Sequence, residues 1–284
     1  MSASFMRKIL CFVCFALPVT AGFSQQENID KGWNEFNKNN RKEAAGYFQQ
    51  ATSDPAAYLD LCLVNKSNHN NEEAFNDFLL FYKNATNPYP YIYALWSSEF
   101  LRGDGSAALD KPHVDFFEQL RADAKAGATL RAMANAALGS YYESVNDYDK
   151  AKTFFKELNV IDQWSITGSF DNLSGSGFDK DFGVLAHPQS DAVFKNDKDA
   201  DVKWFAVKNF RNDRWLDFAY NFYPENMIVY AQSFVNSNID QTVNMMTGVS
   251  GSLKIWVNDQ LVIREEDERN TDLDVYNSTV KLHK

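Results

Sequence analysis

The sequence predicts a two-domain protein, with an all-helical repeat solenoid first and an antiparallel β-sandwich after it. From Ile29 to Val160, small and apolar residues recur at the spacing of paired amphipathic helices. From Ile161 onward, short runs of alternating apolar and polar residues are separated by Gly, Asn, Asp and Ser. The chain has 284 residues, which is enough for two domains of ordinary size.

The charge of the chain argues against nucleic acid as a partner. It carries 38 acidic and 28 basic residues, a formal net charge of -10. Binding to a phosphate backbone needs clustered Lys and Arg that displace counterions. We therefore expect no nucleic-acid partner. Separately, the hydrophobic content of 45% predicts a globular core.

The N-terminus has the pattern of a signal peptide over residues 1–24. Arg7 and Lys8 precede an apolar run from Ile9 to Ala21, about half the length of a membrane-spanning helix. Cleavage after Ser24 is preferred and cleavage after Ala21 is the alternative; an uncleaved anchor is a further one. We expect export to the periplasm, the outer envelope or the medium, with no permanent membrane span after cleavage.

No residue pattern predicts a catalytic, cofactor or metal site. Removal of Cys11 and Cys14 with the signal peptide leaves Cys62 without a disulfide partner, which suggests a buried, inert thiol in a helix. Metal-ligand spacing is absent among the four histidines of the sequence. We expect no cofactor and no enzymatic activity.

The clearest helical pair lies between Ala136 and Phe155. Its packing candidates are small or aromatic residues at helical spacing: Leu138, Gly139, Tyr142, Tyr148, Ala151 and Phe155. This pattern resembles the tetratricopeptide repeat. The resemblance implies that Gly139 and Ala151 let the helices approach, that Tyr142 and Tyr148 wedge the pair, and that Phe155 fills the groove to the next unit. Asp147 is expected to cap the second helix, and Asn146 stands at the family's turn glycine.

Weaker copies precede this pair and predict about four helical pairs in all. Their candidate packing residues are Gly32, Trp33, Phe36, Ala44, Phe48, Ala51 and Pro55, then Tyr58, Leu61, Leu63, Ala74, Phe78 and Phe81, then Tyr93, Trp96, Phe100, Phe116, Phe117 and Leu120. Stacked helical repeats have a concave face that usually holds a protein or peptide. The alternative is a packing scaffold that only supports the following domain.

The second domain is predicted from alternating strands. Candidates are Val229–Val235, Thr242–Thr247 and Leu253–Val257, the last turning at Asn258-Asp259 into Leu261–Ile263. Three segments together resemble a galactose-binding-like jelly roll: Trp164–Asn172, Tyr230-Ala231 and Lys254–Asp259. The combination with tetratricopeptide units is similar to the N-terminal part of larger exported proteins of Bacteroidetes-like bacteria, in which a transglutaminase-like domain commonly follows. We expect an incomplete sandwich and a fragment of a longer protein, or else a small complete sandwich.

Two ligand sites were weighed for the sandwich. Trp204, Trp215 and Tyr220 are candidates for stacking on sugar rings, with Asn212, Asp213 or Asp217 as polar contacts; packing in the core is the alternative. The acidic tract Glu265–Glu268, with Asp272 and Asp274, offers oxygen ligands to calcium but lacks an EF-hand spacing, so a solvated loop is preferred.

The sequence therefore favours a non-catalytic exported scaffold that binds a protein or peptide on its helical repeats. Carbohydrate binding by the sandwich is one alternative. The other is a positioning region for a transglutaminase-like or peptidase domain elsewhere in a longer protein.

Overall fold

The protein is described from a computed structural model that covers residues 24–102, 109–158, 160–207, 211, 213, 215–223 and 225–284. The predicted order, helices followed by antiparallel strands, is confirmed. The proposed signal peptide lies outside the described residues apart from Ser24, as do Gly103 to Ser106 and Asn212.

Nine helices occupy the N-terminal part of the described chain, and several begin at a capping carboxylate. Asp54, Asp110 and Asp147 each accept a hydrogen bond from a backbone N–H in the first turn of their helix. The cap predicted at Asp147 is thus confirmed. The helices are α1 (24–37), α2 (Arg41–Gln49), α3 (Pro55–Ser67), α4 (Asn71–Asn84), α5 (Tyr89–Leu95), α6 (Glu99–Arg102), α7 (Lys111–Ala122), α8 (Gly127–Ser144) and α9 (Tyr148–Lys156).

The same tight turn joins α1 to α2, α3 to α4 and α8 to α9. Each turn has a residue with positive φ, namely Asn39 at 66°, His69 at 60° and Asn146 at 64°. In each, the N–H of the following residue bonds to the carbonyl five residues back, at 2.9, 3.0 and 2.8 Å respectively. Asn at position 146 therefore does adopt the glycine-like conformation that the sequence required of it.

Nine strands follow, and all their pairings are antiparallel. Within the described residues they form one three-stranded sheet, ordered β4-β1-β5, and three two-stranded ribbons, β2-β3, β6-β9 and β7-β8. The strands are β1 (Ser165–Asp171), β2 (Val193–Lys195), β3 (Asp201–Lys203), β4 (Phe205–Ala206), β5 (Met227–Gln232), β6 (Gln241–Thr247), β7 (Ser250–Val257), β8 (Gln260–Asn270) and β9 (Tyr276–Leu282).

The predicted hairpin is confirmed, and two other predictions are corrected. Val257 pairs with Gln260, so Asn258 and Asp259 form the two-residue turn, both with positive φ. The strand predicted to continue to Val235 ends at Gln232, where pairing with Ser165 of β1 stops. The acidic tract is not a loop, because residues 265–268 lie within β8, where backbone pairing with β7 outweighs the low strand propensity of charged residues.

The chain divides into two compact units, and the boundary between them precedes the change from helices to strands. Described residues up to Ala126 form the first unit and those from Gly127 onward form the second, so α8 and α9 belong with the strands. Within the second unit the Thr129 hydroxyl of α8 donates to the Met246 sulfur of β6 at 3.2 Å.

Each unit has buried apolar clusters of its own. In the first unit, Ile29, Phe48, Leu61 and Val64 are among those that join α1, α2 and α3. In the second unit, one cluster joins α8 to α9, and another lies over β1 and is built around Phe170, Val184 and Phe194.

Candidate functional site

A glycine packed against a phenylalanine ring recurs in two helical pairs. A Cβ atom placed on Gly32 would lie 2.4 Å from a ring carbon of Phe48, and one on Gly139 would lie 2.5 Å from a ring carbon of Phe155. In both pairs an alanine follows the glycine by 12 positions and the phenylalanine follows it by 16. These two contacts set how closely the first and second helices of each pair approach.

Cys62 occupies the same position in the second helical pair. Ala74 and Phe78 follow it by 12 and 16 positions, and all three residues are fully buried. Burial, and next the negative charge of Asp77, raise the pKa of the Cys62 thiol to about 12. The thiol is therefore protonated at neutral pH, which makes it a poor nucleophile and a poor metal ligand. Spacing alone would have found this equivalence, but the sequence reasoning used Leu61 and Leu63 instead.

The six packing residues predicted in the last helical pair have different surroundings. Leu138, Gly139, Ala151 and Phe155 are buried between α8 and α9. The ring of Tyr142 is partly buried and stacks on that of Phe154, with centroids 5.3 Å apart. Tyr148 differs from the expected wedge, because it is 51% exposed and its hydroxyl donates to Asn146 Oδ1 at 2.9 Å.

Aromatic side chains remain partly exposed where α1 and α3 meet in the first unit. Trp33 and Phe36 of α1 and Tyr58 of α3 pack on the buried cluster from outside, and we call these three residues the α1 aromatic surface. The Trp33 ring lies edge-on to Phe36 at 5.3 Å and to Phe48 at 5.5 Å. Such edge-to-face pairs stabilise the fold while the rest of each ring stays available to a ligand.

A buried carboxylate lies beside this surface. Asp60 of α3 is only 8% exposed and accepts a hydrogen bond from the side chain of Trp33. Burial, with the charge of Asp54 adding to it, raises the pKa of Asp60 to about 6, although the Trp33 hydrogen bond opposes the shift. The sequence reasoning missed Asp60; the signal was one acidic residue inside the otherwise apolar run Tyr58–Val64.

His113 is a partly buried polar group of the first unit. Its Nδ1 lies 2.5 Å from Asp110 Oδ1, its Nε2 lies 2.8 Å from the Phe100 carbonyl oxygen, and its ring stacks on Phe75 at 3.6 Å. Both ring nitrogens thus lie within hydrogen-bond distance of an oxygen atom. No role for His113 is predicted from the sequence. The arrangement ties α4, α6 and α7 together and leaves no ring nitrogen for a metal.

The sugar-stacking candidates occupy three different environments. Trp204 packs against the cluster over β1, 6.4 Å from the Phe194 ring, and its Nε1 donates to the His187 carbonyl at 3.3 Å. Trp215 lies against Gly248, where a Cβ atom would be 2.8 Å from its ring. Tyr220 is 69% exposed. No ring contact among the described residues joins the three.

The polar candidates nearby have structural partners. Asp213 pairs with Arg211 at 2.6 Å, and Asp217 accepts from the Ala219 N–H at 2.9 Å to cap a short 3-10 turn. Each of these carboxylates thus stabilises its own loop.

The charges on β7 and β8 are likewise paired. Lys254 and Arg264 both bind Asp179, and their side chains lie 4.2 and 5.1 Å from the centroid of the Phe178 ring. The hydrogen bonds from these two side chains lower the pKa of the Asp179 carboxyl, and the bond from Lys254 has the larger effect. Glu266 pairs with Arg264 at 3.0 Å and Asp267 with Arg269 at 2.7 Å. In the part of the chain that the structure covers, no three His, Cys, Asp or Glu residues group as metal ligands.

Comparison of the chain with protein-family models, with curated protein sequences and with solved structures gave no match. Over the described ranges, none of the helices combines the length and the apolar character needed to cross a membrane. The strongest site that the geometry offers is therefore the α1 aromatic surface with Asp60.

Proposed function

We propose that this chain is a non-catalytic, exported scaffold that binds a protein or peptide through its first, helical unit. In this proposal the helices are tetratricopeptide-like repeats and the strands are a galactose-binding-like jelly roll. The observation that carries it is the turn repeated after α1, α3 and α8, together with the glycine that packs against a phenylalanine ring in the first and last of these pairs.

Repeats of this kind support binding rather than catalysis for a physical reason. Each pair buries one face against its neighbours, and the other faces form a continuous surface for an extended ligand. The α1 aromatic surface lies on the first and third helices of this arrangement, and partly exposed Trp, Phe and Tyr are the side chains that contribute most to protein interfaces. The nucleophile candidate Cys62 is buried and protonated, which argues against thiol catalysis.

The proposal is tested by photo-crosslinking of the full chain in its own cells. The photoreactive amino acid benzoylphenylalanine replaces Phe36 in one variant and Tyr148 in a matched one. We expect a discrete heavier band from position 36 and none from position 148, because Tyr148 lies in the second unit. No band at position 36, or equal bands at both, would leave the helices as a packing scaffold only.

A further inference from the structure

Asp60 is a buried acid without a cationic partner in the described ranges. No Lys or Arg there forms an ion pair with it, and the charge that acts on it comes from another acid, Asp54. Among the described groups that act on it, only the hydrogen bond from Trp33 favours the ionised carboxylate. A buried carboxylate in this state is costly when ionised, and a cation placed beside it relieves the cost.

The charged groups on the neighbouring helices are engaged elsewhere. Asp77 of α4 accepts a hydrogen bond from Asn65 at 2.8 Å. Arg41 of α2 donates to Asn68 at 3.1 Å and to the Ser67 carbonyl, at the far end of α3. Asp54 caps the first turn of α3 through the Ala56 N–H at 2.9 Å. None of these groups offers a positive charge to Asp60.

A partly exposed aromatic ring, that of Trp33, lies next to this carboxylate. Trp33, which bonds to Asp60, is itself partly exposed, and Phe36 lies 5.3 Å from it. The faces of such rings attract cations, Trp most strongly. A carboxylate next to a Trp ring thus matches a guanidinium, which combines hydrogen-bond donors with a flat surface that stacks.

We propose that the α1 aromatic surface and Asp60 together bind a cationic side chain, arginine in preference to lysine, from a segment of the partner protein. This inference rests on the proposed function and names the chemistry of the partner.

Proton linkage supplies a signature for this mode of binding. The cation needs the ionised carboxylate, and the pKa of Asp60 is raised to about 6. Affinity should therefore be constant above that pH and fall by about tenfold in all as the pH drops below it, because a protonated Asp60 is as neutral as an asparagine at this position. Attraction of the cation to the overall negative charge of the protein surface would not change in strength at the pKa of Asp60.

The repeat itself provides a matched control. Asp30 precedes Gly32 by two positions, as Asp60 precedes Cys62, so both acids stand at one position of the repeat. Asp30 is exposed and accepts a hydrogen bond from Gln26 at 3.0 Å. Asp30→Asn and Asp60→Asn each remove one negative charge. The charge at position 30 is exposed, whereas the charge at position 60 is buried. Asn at position 60 still offers an oxygen to the Trp33 indole, so the indole N–H keeps its acceptor.

The experiment titrates the full chain with the tripeptide acetyl-Ala-Arg-Ala-amide and follows the Trp33 indole N–H signal by NMR. The signal is assigned with Trp33→Phe, and the citrulline tripeptide is the neutral control. We expect binding by the wild type, about tenfold weaker binding by Asp60→Asn, which is about 1.4 kcal/mol, and a change of less than about twofold in Asp30→Asn.

The inference is overturned by equal affinities of wild type and Asp60→Asn, by equal shifts with the citrulline tripeptide, by no shift at all, or by a flat pH profile. Its failure is distinguishable from failure of the proposed function. A crosslink from position 36 that persists in Asp60→Asn keeps the function and removes the inference.

Discussion

Gly139 of α8 lies so close to Phe155 of α9 that a methyl group on the glycine would stand 2.5 Å from a ring carbon. Cβ atoms in folded proteins essentially never approach closer than 3.0 Å. The ring of Phe155 is itself buried and packs on Ala132 and Ala136, so it has little room to move. The contact therefore requires glycine for space, although the backbone there is ordinary helix.

Gly139→Ala is expected to destabilise the protein by about 1–3 kcal/mol, the usual cost of overpacking a core. Urea unfolding measures it. Gly46→Ala is the matched control, because Gly46 lies in α2 with no atom within 4 Å of an added Cβ. That variant should gain about 0.5–1 kcal/mol from helix propensity. Equal effects of the two substitutions would show that the Phe155 ring does yield.

Cys62 is expected to resist thiol reagents in the folded protein. It is fully buried, and burial raises the pKa of the thiol to about 12, so almost no thiolate exists at pH 8. In a chain carrying Cys11→Ser and Cys14→Ser, the disulfide reagent DTNB should react at once in urea and only slowly, at the rate of unfolding, in buffer. Rapid reaction in buffer would contradict the described burial.

Asp110 is expected to stabilise the first unit in a pH-dependent way. Partial burial raises the pKa of its carboxyl, but hydrogen bonds from the His113 ring and from the His113 N–H outweigh that effect and lower it. A lowered pKa means that the folded state favours the ionised carboxylate. The stabilisation is therefore complete above the unfolded value of about 4 and is lost as the pH falls through the folded value.

Asp110→Asn tests this linkage, because asparagine caps a helix almost as well as aspartate but carries no charge. The variant should be less stable than wild type at pH 7, and the difference should close as the pH falls towards 3 in urea unfolding. A difference that stays constant with pH would mean that the charge contributes nothing.

Thr167→Val is expected to stabilise the second unit by about 1 kcal/mol. Thr167 of β1 is fully buried, and its hydroxyl has no hydrogen-bond partner among the described residues. Valine has the same shape and removes the desolvated oxygen. Thermal unfolding measures the gain.

The matched control is Thr271→Val. The Thr271 hydroxyl accepts from the Val249 N–H at 2.7 Å and donates to its carbonyl at 3.0 Å. That substitution should cost about 1 kcal/mol. A loss of stability in Thr167→Val as well would point to an interaction of the Thr167 hydroxyl that the structure does not contain.

Local signals were sufficient to predict the turn between α8 and α9 and the main hairpin. Asn146, Asp147 and the Asn258-Asp259 pair act on their own backbone, and backbone chemistry of this kind is readable from neighbouring residues. The pairing of β6 with β9 encloses a complete hairpin between its two strands. Such long-range pairing depends on packing between distant segments, and the residues of one strand do not identify its partner.

The acidic tract illustrates the same limit. Charged residues read as a loop, yet pairing of Leu253 with Glu265 extends the hairpin through them. The candidate site was missed for a different reason. Asp60 and Trp33 are 27 positions apart, and only the stacking of α3 beside α1 brings them together.

The placement of α8 and α9 has a practical consequence for anyone who divides this chain for expression. Helix content suggests a cut near Val160, but α8 and α9 fold with the strands, and Thr129 bonds to Met246. A fragment ending at Val160 would contain α8 and α9 without the strands that belong to the same unit. The apolar surface exposed in this way would bind unrelated proteins non-specifically. A cut between Ala126 and Gly127 respects the compact units and yields the cleaner bait.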